Sequence, residues 1–175
     1  MFHLKIIKPK KGDSKDFFYT HYLEKKNENF SNIESIKKYL FEKNEFFHYE
    51  FALFNNYLRF FDYHFVSNMI AITQKYINSI QHIPEYDIEI ISFYTNMSYF
   101  FLEIKSYVLA KKYTGFLSTL VNKRIQDISV SQLYKFKILE AITTGKPVQP
   151  IIETTKQLGL DCMEKEILEF LEKSM

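Results

Sequence analysis

Glu45-Phe46-Phe47-His48 sets a carboxylate and an imidazole three residues apart, the spacing that places both on one helical face, as the ligands of di-iron helical bundles require. Such a centre needs a second copy of the motif and further inward carboxylates. Neither occurs in this chain, whose other acids fall on faces that read as solvated. His64 and His82 stand at expected helix junctions and read as helix-end or surface histidines. There is no phosphate-cradling glycine loop, no G-x-S-x-G elbow, no H-E-x-x-H and no paired-cysteine metal signature. The expectation is therefore no catalytic residue, no metal site, no cofactor and no enzymatic activity.

The recognition chemistry is richer. Between 46 and 62, Phe47, Phe51, Phe54, Leu58 and Phe61 recur at spacings of four and three, which gathers them on one side of a helix. With those rings turned inward, Ala52, Asn56, Arg59 and Tyr63 project from the other side. In 86–104 the inward set is Ile90, Tyr94, Met97, Phe101 and Ile104, and Ser92, Asn96, Tyr99 and Glu103 stand in the equivalent relation to it. A carboxamide both donates and accepts, so two asparagines facing one hollow can grip the backbone of an extended peptide whatever its side chains. An arginine beside them can pair with a peptide carboxylate. Asn56, Arg59, Tyr63, Asn96 and Tyr99 are the candidate peptide-binding residues.

Long helices must position these groups. Only four Gly and four Pro punctuate 175 residues, and 18% of the chain is Phe or Tyr with no Trp, so large rings fill much of the core. Residues 1–30 read as a tail to Gly12 followed by a first helix over 14–28, and residues 31–175 as the helical-repeat domain. Ser31-x-x-Glu34 is a capping box that opens a helix over 31–43 with Ile33, Ile36, Leu40 and Phe41 inward. Further helices are expected over 46–62, over 65–82 (Phe65, Met69, Ile72, Tyr76 and Ile80 inward, closed by Pro84) and over 86–104. The next spans 106–125, with Tyr107, Ala110, Tyr113, Leu117, Leu120 and Val121 inward. Ser129-x-x-Gln132 opens a helix that stops at Gly145; Pro150 starts another that ends at Gly159. The last covers 162–173, with Met163, Ile167, Leu168, Phe170 and Leu171 inside. No period-two run marks a strand. Paired, these segments form antiparallel hairpins about 40 residues apart, and Ala110 between Tyr107 and Tyr113 lets two helices approach closely. The predicted fold is all-α, with the hairpins stacked as a tetratricopeptide-like right-handed array.

A formal net charge of +2 supplies no global field for nucleic acid or an anionic membrane. The lysines at 8, 10 and 11 and the pairs Lys111/Lys112 and Lys123/Arg124 read as solvated surface. Cys162, the only cysteine, forms no disulfide within the chain and reads as a small buried apolar group. Lysines interrupt the first residues too early for a signal peptide, and charges interrupt every apolar segment too early for a membrane span. The location expected is the cytoplasm.

The run Ile36-Lys37-Lys38-Tyr39-Leu40-Phe41, the segment Phe46–Phe61 and the Gly145-Lys146 turn, followed by Leu158-Gly159 and its terminal helix, resemble one known domain. It is the C-terminal domain of Rgg/GadR/MutR-type transcriptional regulators of Gram-positive bacteria, over roughly residues 30–173. The resemblance implies a tetratricopeptide-like domain that senses short imported peptides, as in quorum sensing, and forms homodimers. Asn56 falls on the Asn of the family's Gly-Asn pair, with Asn55 in place of the Gly. Family members carry an N-terminal helix-turn-helix that residues 1–30 are too short to hold. The chain is then a fragment of a longer regulator or a free-standing protein able to form heterodimers with a full-length relative, with no direct nucleic acid binding of its own. The implied function is a regulatory peptide-binding module with no membrane partner; the alternative is a helical scaffold or adaptor that binds a partner protein without a peptide ligand.

Overall fold

A computed structural model describes residues 33–174, although in the last helix only the side chains of residues 164, 165 and 168–172 are described. Every regular element among the described residues is helical. The expected first helix over 14–28, the capping serine at 31 and the buried Cys162 lie outside what is described.

The chain divides into two compact units, Met1–Asn44 and Glu45–Met175. In the first, α1 spans Ile33–Phe41. Ile36 and Leu40 are fully buried four residues apart, Glu34 pairs with Lys37 at 3.0 Å, and Phe41, expected inward, is exposed at the end of the helix.

The second unit holds seven helices: α2 (His48–Tyr57), α3 (Tyr63–Ile80), α4 (Asp87–Glu103), α5 (Tyr107–Lys123), α6 (Val130–Thr144), α7 (Gln149–Gln157) and α8 (Asp161–Ser174). Short 3-10 turns cover Leu58–Phe60 and Pro84–Tyr86. The helix ends follow local chemistry. Asp62 caps α3 by accepting from the Phe65 N–H at 2.9 Å. Ser129 accepts from the Gln132 N–H while the Gln132 side chain accepts from the Ser129 N–H, each at 3.2 Å, which completes the expected capping box. Gly145 and Gly159 end α6 and α7 in the left-handed conformation, with φ of 71° and 67°.

Packing centres on α4, which contacts α2, α5, α6 and α8. Phe51 of α2 lies 5.0 Å from Tyr76 and 5.2 Å from Phe93, Phe54 stacks on Phe61 at 5.7 Å, and Phe101 stacks on Tyr113 at 5.3 Å. Ala110 is fully buried, as close approach of α4 and α5 requires. A second apolar group joins α6, α7 and α8 through Ile138, Ile152, Ile142, Val148, Ile151 and Leu171. Asp87, buried at the start of α4, is held by Arg124 and, at 3.6 Å, by Lys123 from the end of α5.

Four inward assignments in the second unit change, besides that of Phe41. Phe47 precedes the first turn of α2 and is 67% exposed, because that helix begins at His48 and the 3-10 turn breaks the long register expected over 46–62. Ile104 and Tyr107 flank the turn between α4 and α5 and are 41% and 52% exposed, and Leu168 of α8 is also exposed.

Candidate functional site

Two stretches of the second unit, one running from α2 into the 3-10 turn that follows it and one within α4, are buried on all but one edge. From Glu50 to Arg59 every residue is buried except Ala52, Asn56 and Arg59. From Ile90 to Leu102 every residue is buried except Ser92, Asn96 and Tyr99. The two sets superpose with a constant offset of forty positions: 52 with 92, 56 with 96, 59 with 99. Each is therefore a narrow, largely polar stripe along an otherwise buried helix, with Glu103 continuing the second stripe at its exposed end.

Asn55 ties the two helices together. The Asn96 amide donates to the Asn55 side-chain oxygen at 2.9 Å and lies 3.4 Å from the Asn55 backbone carbonyl; the Asn55 amide approaches the Ser92 hydroxyl at 3.5 Å. Asn96 is thus half-buried and already engaged, while Asn56 is exposed one position beyond the bridging residue. Arg59 lies over the Phe60 ring at 4.6 Å, and Tyr63 is exposed with its ring edge-on to His64 at 5.8 Å, at the start of α3. Tyr99 meets Phe170 of α8 edge-on at 4.5 Å, so the terminal helix borders one end of the α4 stripe.

Asn55 is the member that the sequence reading missed. Two consecutive asparagines offer one inward and one outward position, and helical periodicity assigned only the outward one to recognition. The inward amide is tolerated because Asn96 and Ser92 satisfy it.

An open cavity of about 510 Å³ that no stripe residue lines has walls that include Phe46, Ile72, Tyr76 and Ile80, with Glu45, Lys75, Ser79, His48 and Tyr86 also lining it. The expected carboxylate and imidazole do not converge there. Glu45 pairs with Lys75 at 3.0 Å, and His48 pairs through Nδ1 with Glu89 of α4 at 3.3 Å. Burial raises the Glu89 carboxyl above its ordinary range, partly offset by His48. Tyr76 is pushed up to about 12, chiefly by burial and then by the Glu89 charge. Among the described residues no group of three or more His, Cys, Asp or Glu side chains is placed to hold a metal ion. No described helix is long and apolar enough to cross a membrane.

In comparison with known proteins, the chain matches no family model, no curated protein and no solved structure.

Proposed function

We propose that Glu45–Met175 is a regulatory binding module in which α2–α3, α4–α5 and α6–α7 are tetratricopeptide-like hairpins and the stripes of α2 and α4 line the face that receives a short extended peptide. The repeated stripe carries this reading. Two stretches forty residues apart, 50–59 across α2 and its 3-10 turn and 90–102 within α4, leave the same three positions uncovered, and a bridge between carboxamides holds them side by side. Asn56 and Arg59 supply donors, and the carboxamide oxygen of Asn96 remains able to accept from a peptide N–H. In this reading the module acts without catalysis or cofactor in the cytoplasm, as a homodimer or as a heterodimer with a full-length relative of the Rgg type. Peptide binding biases one of two dimer arrangements.

The contact between Tyr99 and Phe170 favours a second reading, because the same face already accepts an aromatic side chain from a helix. A scaffold would use it for a partner's helix.

Calorimetric titration of the protein with a panel of short peptides separates the two. The first reading expects saturable binding at micromolar or tighter affinity, weakened about tenfold or more in the N56A/R59A variant with helical content unchanged. Flat titrations across extended peptides, together with binding of amphipathic helical ones, would establish the scaffold instead.

A further inference from the structure

The cavity of about 510 Å³ takes one wall from a single helical face. Ile72, Lys75, Tyr76, Ser79 and Ile80 stand at i, i+3, i+4, i+7 and i+8 along α3, the spacing of a face turned to the core. Tyr76 and Ile80 are buried, but Ile72 is only half-buried and Ser79 is exposed, where the cavity opens in front of that face. The rest of the wall is largely aromatic: Phe46 and the exposed Phe47 at the entry to α2, and Tyr86 in the 3-10 turn before α4. The charged groups around it are answered within the protein. Glu45 pairs with Lys75 at 3.0 Å, and Glu89, whose charge is felt at Tyr76, pairs with His48 at 3.3 Å.

The Tyr76 hydroxyl is different. The residue is 9% exposed, and its hydroxyl hydrogen-bonds no described residue. Among the described residues the side-chain atoms both enclosed and without a partner are Asp87 Oδ1 and Thr114 Oγ1. The Tyr76 oxygen is not one of them, so it is reached from the cavity that its ring lines. With its ionisation pushed up to about 12, it keeps its proton and can donate.

We propose that this cavity is a binding site for a small, uncharged, flat apolar molecule that carries a carbonyl-type acceptor. The volume lies within the range of small-molecule sites, roughly 300–1,000 Å³. Four aromatic residues in the wall favour a flat body, whose faces and edges they can meet in offset or edge-on contact. An anion would compete with Glu45 for Lys75, and a cation would compete with Lys75 for Glu45; a neutral molecule leaves that ion pair intact. The Tyr76 hydroxyl then fixes the orientation by donating to the acceptor. Because no stripe residue lines the cavity, this site is independent of the peptide face.

Fluorescence titration with 6-propionyl-2-(dimethylamino)naphthalene, an uncharged aromatic ketone whose emission shifts to shorter wavelength out of water, tests the proposal. Saturable binding of one molecule per chain is expected. Y76F, which keeps the buried ring and removes only the donor, is expected to weaken it about fivefold to tenfold. S79W fills the cavity from an exposed position and is expected to abolish it, with far-UV circular dichroism unchanged in both variants. N56A/R59A is expected to bind the ketone like the native chain. The same ring system carrying a carboxylate, 6-(dimethylamino)naphthalene-2-carboxylate, is expected to bind roughly threefold or more weakly. The proposal is overturned if the ketone does not bind saturably, or if either Y76F or S79W binds it as the native chain does. It also fails if the carboxylate binds as tightly as the ketone, or if N56A/R59A loses the binding, since the probe would then sit on the stripes.

Discussion

Neighbouring residues in α2 have opposite tasks. Asn55 is buried and hydrogen-bonded across to α4, whereas Asn56 is exposed. Removing the Asn55 side chain deletes its two bonds and leaves the half-buried Asn96 amide only the longer, 3.4 Å contact to the carbonyl of residue 55, so Asn55→Ala is expected to lower unfolding free energy by about 1–2 kcal/mol. Asn56→Ala is expected to change stability by less than about 0.5 kcal/mol. Urea denaturation of the two variants decides; equal losses would show that the bridge does not join the helices. The rings divide in the same way. Phe54 is fully buried beside Phe61, and Phe47, which shares its sequence pattern, stands in solvent. Periodicity puts Phe47 on the inner side only if the helix already includes it, and the end of a helix is set by capping, where the Glu50 carboxylate accepts from the Phe47 N–H at 3.2 Å.

At the level of the helices, the turn after α4 can be compared with those after α6 and α7. All three end with a residue at positive φ, and only the first is not glycine. Lys105→Gly is expected to raise stability by roughly 0.5–1 kcal/mol, while Gly145→Ala lowers it by about 1 kcal/mol or more. Thermal denaturation of both variants measures this, and a loss on Lys105→Gly would mean that the lysine contributes more to the fold than its backbone costs. Glycine and proline made α6 and α7 legible, because Gly145, Pro150 and Gly159 act within a turn of where they stand. The start of α2 and the 3-10 turn at Leu58–Phe60 were not legible. There the sequence continues as a good apolar helix, and the interruption comes where the turn packs against α4 and Asp62 caps the start of α3.

For the molecule as a whole, burial of aromatic hydroxyls sets an alkaline limit. Tyr76 and Tyr113 are raised to about 12, and Tyr94 is raised too, in each case chiefly by burial. In the unfolded chain these phenols ionise near the ordinary value of about 10. Between the two values the folded state holds the protons that the unfolded state has lost, so stability is complete below about pH 10 and falls as pH rises towards 12. Tyrosinate absorbance near 295 nm is expected to show exposed tyrosines titrating first. Tyr76, Tyr94 and Tyr113 should ionise together with the loss of helical circular dichroism. Ionisation of all tyrosines near pH 10 with the helices intact would contradict the burial described.

The sequence by itself determined that the described residues are helical and where most of their helices begin and end, and it put Ala52, Asn56, Arg59, Ser92, Asn96 and Tyr99 outside the core, though it placed Arg59 and Tyr63 on one long helix with Asn56. These properties depend on periodicity and capping, which act over one or two turns. Only the tertiary structure decided that Asn55 rather than Asn56 meets Asn96, that Tyr99 meets Phe170, and that Asp87 is neutralised by Arg124 thirty-seven residues away. It also decided that one face of α3 borders an open cavity. Such pairings arise when helices distant in sequence settle against one another, and the side chain that wins a shared position depends on neighbours a local pattern does not contain.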